Sequence, residues 1–351
     1  MKKILIVVFL LVGLAAASGA YLSWDFAVRP ASTLQGEFSV DVPPGSTIVS
    51  LRRSLEEQGL RIPAFQTRLW NSLTQASRKL HVGEYDINPS ASAYVILKKI
   101  LDGPAKSHQL TVREGTHIWD IQTIFAESSL KVPQDTYLSW VRDPKRLARM
   151  GVPKMTDPRV RPTLEGFLFP ETYNYYKYNS AESVLDAMLD LFEKRIKPIL
   201  MEHPWGATPE GRYKLLTLAS IVEKESGDVA EQPTIASVYW NRIRKGMKLQ
   251  ADPTTIYGLM PLFDGNLRKA DLLAMTPYNT YRITGLPPTP IANPGETAVR
   301  AVVRPATTEY LFFVAKGDGM HIFSADYKTH SKYVDQFQRR RKISATAPQS
   351  K

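Results

Sequence analysis

Cysteine is absent from this chain of 351 residues. That excludes disulfides, thiolate-bound zinc, thiol nucleophiles and a lipid-modified N-terminal cysteine. It leaves the compartment open, because exported domains without cysteine are common. Metal-ligand spacing is missing too: the histidines at 81, 108, 117, 203, 321 and 330 form no H-x-x-x-H or H-E-x-x-H pair. There is no G-x-G-x-x-G, P-loop or G-x-S-x-G. No cofactor and no metal is expected. Charge is missing from one long stretch: nothing ionisable of the Asp, Glu, Lys or Arg type lies between Lys3 and Asp25. That run, "ILIVVFLLVGLAAASGAYLSW", has the length of a bilayer-crossing helix, roughly 20 apolar residues. Lys2 and Lys3 place its start on the cytoplasmic side, and Tyr21 and Trp24 suit the far interface. A cleaved signal peptide is the rival, since "AAASGA" offers small residues for cleavage. The expectation is a retained anchor over residues 1–24.

Acids are fewer than bases, 34 against 45, for a net charge of +11. A basic surface suits an anionic polymer, a membrane or nucleic acid, or merely keeps the chain soluble. An exported domain makes nucleic acid an unlikely partner. Hydrophobic content of 43% with 23% charged residues fits globular domains.

After a polar linker, residues 25–37, comes "FSVDVPPGSTIVSLRRSLEEQGL", which reads as strand, Pro-Gly turn and helix, capped by Ser46 or Thr47. "LTVREGTHIWDIQTIFAES" repeats the plan at an offset of 70: Val42, Gly45, Ser46, Ile48 and Leu51 align with Val112, Gly115, Thr116, Ile118 and Ile121. A second helix ("PAFQTRLWNSLT"), a strand ("VGEYDI") and a third helix ("AYVILKKILDG") complete a module over 38–105. Its β-α-α-β order, with V-x-x-G-[ST] at the start, resembles LysM modules; a generic small α/β packing module is the alternative. The domain expected over 106–340 is mainly helical from 130 to 205 and again from 208 to 258. "RPTLEGFLFPETYNYYKY" reads as an ordered loop, and 277–325 as strands and Pro-rich loops ending in a hairpin, "EYLFFVAKG" with "GMHIFSA". A helix then fades into a basic tail, 341–351; the run Arg339 to Lys342, which leads into it, could meet anionic lipid or polymer, with a solvated tail as the alternative.

The chemistry concentrates in "LTLASIVEKESGD", Leu216 to Asp228. Thr208 and Pro209 start this helix and Gly227 is expected at its end. Leu215 to Val222 carries only small polar residues, so the helix is expected to be buried all round. Glu223 and Glu225 are about 200° apart around the axis, so only one can face a given cleft. Small neighbours, Ala219 and Ser220, favour Glu223 as the acid with room for a ligand. Burial and the helix C-terminus would both raise its pKa, as a general acid requires. The bland alternative is two solvated or lysine-paired glutamates in a fraying turn. "LQADPTTIYG" adds Gln250, Asp252, Thr254 and Tyr257, a mixture suited to sugars, with Asp252-Pro253 read as a cap; a satisfied capping turn is the alternative. In "TPYNTYRITGLPPTPIANPG", Asn279 and Tyr281 are expected on a proline-stiffened substrate wall; a Pro-rich connection that only packs against the core is the alternative.

Together "EGFLFPETY", "LASIVEKES", "NRIRKGMKLQADPTTIYG", "YNTYRITGLPPTPIANPG" and "EYLFFVA" with "HIF" resemble the endolytic murein transglycosylases, the MltG or YceG-like family. The resemblance runs from the anchor to about residue 340. It implies an α+β protein: an N-terminal transmembrane helix, a small LysM-like α/β module, and a mixed α+β catalytic domain with a helical core and antiparallel strands. It implies a single-pass bacterial inner-membrane protein, N-terminus inside and catalytic domain periplasmic. The implied reaction cleaves the MurNAc-β-1,4-GlcNAc bond within nascent peptidoglycan strands, leaves 1,6-anhydroMurNAc ends and terminates strand growth. The implied catalytic residue is Glu223, with Gln250, Asp252, Thr254, Tyr257, Asn279, Tyr281, Glu165 and Tyr173 as expected substrate contacts. Glycan strands and the membrane are the expected partners, with peptidoglycan synthases as candidates. Thr289 stands where the family often has glycine, which puts one loop's backbone in question. Three rivals remain: a hydrolytic muramidase, a non-catalytic anchored peptidoglycan-binding protein, and a tethered nucleic-acid binder resting on charge alone.

Overall fold

The computed structural model describes residues 2–339, so the expected tail at 341–351 lies outside it, as do the side chains of the basic run from Arg339. The chain divides into two compact units, residues 1–109 with 174–180, and residues 110–173 with 181–351.

The first unit opens with α1 (Lys2–Ala27), followed by β1 (Phe38–Val42), α2 (Ile48–Glu57), α3 (Ala64–Thr74), β2 (Gly83–Ile87) and α4 (Ala93–Asp102). β1 and β2 pair antiparallel with Val40 opposite Tyr85. Alternation along the pair puts Val40, Val42, Tyr85 and Ile87 into the core, where Leu51, Leu55, Leu97 and Ile100 meet them. Gly45 takes φ +81°, a conformation that favours glycine, and so turns the chain from β1 to α2. Thr47 is the cap: it accepts from the Ser50 amide, and Ser50 Oγ accepts from the Thr47 amide.

The expected linker at 25–37 starts inside α1, and it is docked. Asp25 is 2% exposed and accepts from Arg61 at 2.6 Å and Arg29 at 3.3 Å. Ala31 is buried, donates its amide to Ala91 O and accepts from the Arg61 amide, both at 2.8 Å. A buried carboxylate needs such partners, and supplying them ties the end of α1 to the unit.

The second unit holds the rest: β3 (Ser107–Thr111, which begins in the first unit), α5 (Ile118–Glu127), α6 (Gln134–Val141), α7 (Pro144–Met150), β4 (Thr172–Tyr176, which ends in the first unit), α8 (Ala181–Arg195) and α9 (Lys197–Leu200). Then come α10 (Pro209–Glu225), α11 (Gln232–Arg244), α12 (Asp252–Leu259), α13 (Lys269–Leu273), α14 (Glu296–Val303), β5 (Phe312–Ala315), β6 (His321–Ser324) and α15 (Tyr327–Val334). β3 pairs with β4, and β5 with β6 antiparallel, Phe313 opposite Phe323. Two expectations change. The "EGFLFPETYNYYKY" stretch, read as loop, contains β4, whose alternating tyrosines Tyr173 and Tyr175 point inward. The stretch 277–325, read as strands and loops, contains α14, whose apolar face packs on α10 and α11.

α10 is the axis of this unit. Thr208 Oγ1 accepts from the Gly211 amide at 3.0 Å, and Pro209 opens the first turn. Every residue from Leu215 to Val222 is buried. Its two hydroxyls are satisfied inside: Thr217 donates to Tyr213 O at 2.9 Å and Ser220 to Thr217 O at 2.7 Å. The helix ends at Glu225, with Ser226 rather than Gly227 closing it onto Val222 O.

Candidate active site

Because α10 is buried up to Val222, its last turn emerges between neighbours, and the two glutamates leave on different sides. Glu223 is half-buried in an open cleft of ≈ 570 Å³ beside Arg113, Glu114, Glu171 and Gln232. Its Oε2 accepts from the Gly295 amide at 3.1 Å, at the N-terminus of α14, which has no side-chain cap of its own. A carboxylate there is favoured by the helix dipole. Burial pushes the Glu223 carboxyl up, the Gly295 amide pulls it back, and Glu114 adds an upward push. Lys224, between the two glutamates, reaches out to Gly115 O at 3.2 Å.

Glu225 faces a separate cleft of ≈ 520 Å³. Tyr239, Arg242, Gln250, Asp252 and Tyr281 line it, with Phe312 and Phe313 from β5 and Tyr327 from α15. Burial pushes Glu225 up to about 7; the Tyr239 hydroxyl, which donates to it, and the Arg242 cation oppose that, and Asp252 reinforces it. The Asp252 carboxylate accepts from the Tyr281 hydroxyl at 2.6 Å. Asp252 is not the cap expected of it: Ala251 holds that position, so its side chain is left to face the cleft. Arg242 donates to Leu311 O at 2.7 Å and Leu249 O at 2.6 Å and lies 5.3 Å over the Phe312 ring. It is therefore a fixed cation that also joins the hairpin strand to the loop before α12. Gln250, at φ +52°, donates its amide to Thr280 O at 3.2 Å. A carboxylic acid near neutral pKa, fixed polar groups and aromatic faces in one cleft can bind a sugar and protonate its ether oxygen.

Of the expected contacts, Gln250, Asp252 and Tyr281 thus come together, but around Glu225 rather than Glu223. Four others are spent inside the fold. Glu165 is 0% exposed and accepts from the Ile118 amide (3.0 Å), the Tyr257 hydroxyl (2.9 Å) and Asn293 Nδ2 (3.0 Å). Burial raises it to about 8 against the pull of the Ile118 amide and the Tyr257 hydroxyl. Asn279, also 0% exposed, gives its amide hydrogens to Asp271 O, Leu272 O and Ala274 O. Thr254 donates to Ala251 O at 2.7 Å, and Tyr173 to Phe169 O at 2.5 Å. Tyr257 is half-buried, but its hydroxyl serves Glu165 and it does not line the cleft. These five position the walls; none offers a free polar group to a ligand. Sequence reasoning missed Tyr239, Arg242 and the aromatics of β5 and α15. Arg242 stands in the motif "NRIRKG", yet nothing in that string separates a buried arginine from a solvated one. Thr289 costs no strain: it lies outside the positive-φ region, and its hydroxyl bonds Pro290 O at 2.8 Å and Tyr278 at 3.0 Å.

The arrangement has relatives. A YceG-like family model matches residues 40–336. The chain belongs to the YceG-like family. A Bacillus subtilis (strain 168) protein named endolytic murein transglycosylase is 29% identical over 309 residues, covering 85% of this YceG-like chain and 84% of its own. A Streptococcus pneumoniae serotype 2 (strain D39 / NCTC 7466) protein of the same name is 26% identical over 371 residues, 95% of this chain but 65% of that longer one. The crystal structure of a YceG-like protein from Listeria monocytogenes aligns with a TM-score of 0.58 at 28% identity, over 86% of this chain and 100% of that one.

Proposed function

We propose that this YceG-like chain is an endolytic murein lytic transglycosylase, a lyase that cleaves MurNAc-β-1,4-GlcNAc bonds within peptidoglycan strands, with Glu225 as its acid. The names of the Bacillus and Streptococcus relatives support the activity. The observation that carries the residue assignment is the company Glu225 keeps: Gln250, Asp252, Tyr281 and Arg242 line its cleft, and its pKa of about 7 keeps a substantial protonated fraction near neutral pH. Glu223, tied to the start of α14, is read as structural.

The reaction needs one carboxyl used twice. Glu225 gives its proton to the glycosidic oxygen as the C1–O4 bond breaks, and GlcNAc leaves with that proton as its 4-hydroxyl. The substrate's own N-acetyl oxygen stabilises the oxocarbenium character at C1. Glu225, now a carboxylate, takes the proton from the muramic 6-hydroxyl as that oxygen closes on C1. The product is the 1,6-anhydro sugar, no water is consumed, and the acid is regenerated. Ordinary glycosidases need a second carboxyl as base or nucleophile. Asp252 in the same cleft is what a hydrolytic muramidase would use, so that is the second reading.

In this proposal α1 is a retained single-pass anchor in the bacterial inner membrane, N-terminus inside, and both units are periplasmic; its length of 26 residues and its apolar composition support it. Residues 38–105 act as a LysM-like glycan-binding module and 106–340 as the catalytic domain. The product would end nascent strands, which makes peptidoglycan synthases the partner candidates. Mass spectrometry of digested sacculi tests the reading. The wild type should release anhydro ends, one water lighter than muramidase products, and Glu225→Gln should release none while Glu223→Gln still does. Reducing ends would move the assignment to a muramidase; an active Glu225→Gln protein would remove Glu225 from the mechanism.

A further inference from the structure

The outer face of α3 carries Phe65, Leu69 and Leu73 at i, i+4 and i+8, exposed by 63%, 50% and 76%. Scattered exposed apolar residues are ordinary, but a continuous stripe is not. This stripe borders an apolar groove of ≈ 420 Å³ whose other wall is α1, through Gly19, Leu22, Ser23 and Phe26. Phe26, Trp70 and Tyr94 join α1, α3 and α4 in a ring cluster with centroids 6.0–6.1 Å apart. The Asp25–Arg61 bond at 2.6 Å adds a polar tie between the end of α1 and the rest of the unit.

We propose that the α3 stripe is seated in the outer leaflet of the bilayer that α1 crosses. The inference rests on the reading of α1 as a membrane anchor. At 1.5 Å per residue, Lys3 to Trp24 spans about 31 Å, which matches a hydrocarbon core of about 30 Å. Gly19 and Leu22 therefore lie within the outermost turns of that span, with Tyr21 and Trp24 at its boundary. The α3 stripe runs beside those same turns, at the depth where acyl chains meet headgroups. Its apolar surface is continuous with that of α1, whose membrane-length window has no buried residue. Charge agrees with a lipid surface. Between Glu57 and Glu84 there is no acidic residue, while Arg68, Arg78 and Lys79 are basic and exposed, and Arg61 in the same stretch is paired with Asp25. An apolar stripe of Phe and Leu flanked by arginine and lysine is the composition of an interfacial helix on anionic lipid.

The absence of native cysteine makes the test direct. Single-cysteine variants of the full chain, Leu69→Cys, Leu73→Cys, Leu10→Cys and Glu57→Cys, are labelled with a nitroxide and reconstituted in vesicles containing phosphatidylglycerol. Relaxation by oxygen, which concentrates in the bilayer, is compared with relaxation by a water-soluble nickel chelate. The expected oxygen-to-chelate ratio at 69 and 73 is several-fold above that at 57 and approaches that at 10. A ratio at 69 and 73 equal to that at 57, with 10 in hydrocarbon, overturns the seating while leaving the anchor. Low accessibility to both reagents at 69 and 73 means that protein covers the stripe, and also overturns it. A water-like ratio at 10 removes the anchor reading and this inference with it.

Discussion

Two carboxylates two residues apart at the end of one helix meet different surroundings. Glu223 sits in an open cleft whose lining is polar and charged, and a backbone amide at the start of α14 engages it. Glu225 sits in a cleft where Gln250, Asp252 and a fixed arginine meet tyrosine and phenylalanine faces, and a tyrosine hydroxyl donates to it. Both are pushed up by burial, so a raised pKa alone does not choose between them. What separates them is what else reaches the same space. A helix that offers one acid to each side can use one to hold a neighbouring helix and the other to do chemistry.

The largest expected effect is at Glu225. Glu225→Gln should lower the rate of anhydro-end release roughly 10²- to 10⁴-fold, the usual contribution of a positioned acid. Glu223→Gln should keep most of that activity and lose stability instead, read as a lower Tm. Equal activity losses would erase the distinction. Next comes Arg242→Met, which removes charged bonds to Leu249 O and Leu311 O and should cost about 2 kcal/mol in a denaturant titration.

pH dependence sharpens the contrast further. In the proposed mechanism Glu225 acts in its protonated form, so turnover should fall as pH rises through about 7. Tyr239→Phe removes a donor to the carboxylate and should move that limb to higher pH; Asp252→Asn removes a negative neighbour and should move it to lower pH. Shifts of the same sign in a pH–rate series would contradict this account. Stability has a different owner. Glu165 holds its proton to about 8 in the fold but only to about its ordinary 4.5 when unfolded. The unfolded chain therefore loses its proton first, and stability should decline between about 4.5 and 8. Glu165→Gln should flatten that decline in Tm measured against pH. The smallest effect is expected at Gly115, at φ +74°, where an added Cβ would stand 3.5 Å from Glu223 Cγ. Gly115→Ala should cost about 1 kcal/mol and leave the pH–rate profile unmoved.

Much of this is legible in the sequence. Thr208-Pro209 marks the start of α10, and the uninterrupted small and apolar run to Val222 announces burial on every side. The offset of 70 between Gly45 and Gly115 is a real structural echo: both are left-handed, and each lies between a strand and a helix. The opposite facing of the two glutamates follows from helix geometry alone. Which one meets the cleft does not. The small Ala219-Ser220 shelf looks like room for a ligand, but chain from the proline-rich loop fills it: the Ile291 amide bonds Ser220 Oγ at 3.0 Å. Small residues report close approach without saying what approaches. Glu165 and Asn279 mislead for a related reason, because polar side chains that complete a buried network carry the same letters as those that bind a solute. The aromatic wall is hidden by distance along the chain, since Phe312 and Tyr327 reach the cleft only through tertiary packing.

The burial of α10 on all sides makes its length as consequential as its composition. Point substitutions at Lys224, which points outward, leave the rest of the helix in place. A single-residue deletion between Tyr213 and Val222 would turn everything after it by about 100°. Glu225 would leave its cleft and Glu223 would lose the Gly295 amide, while the core met a new face. Spacing through this stretch is therefore as tightly constrained as packing, and insertions and deletions belong in the loops.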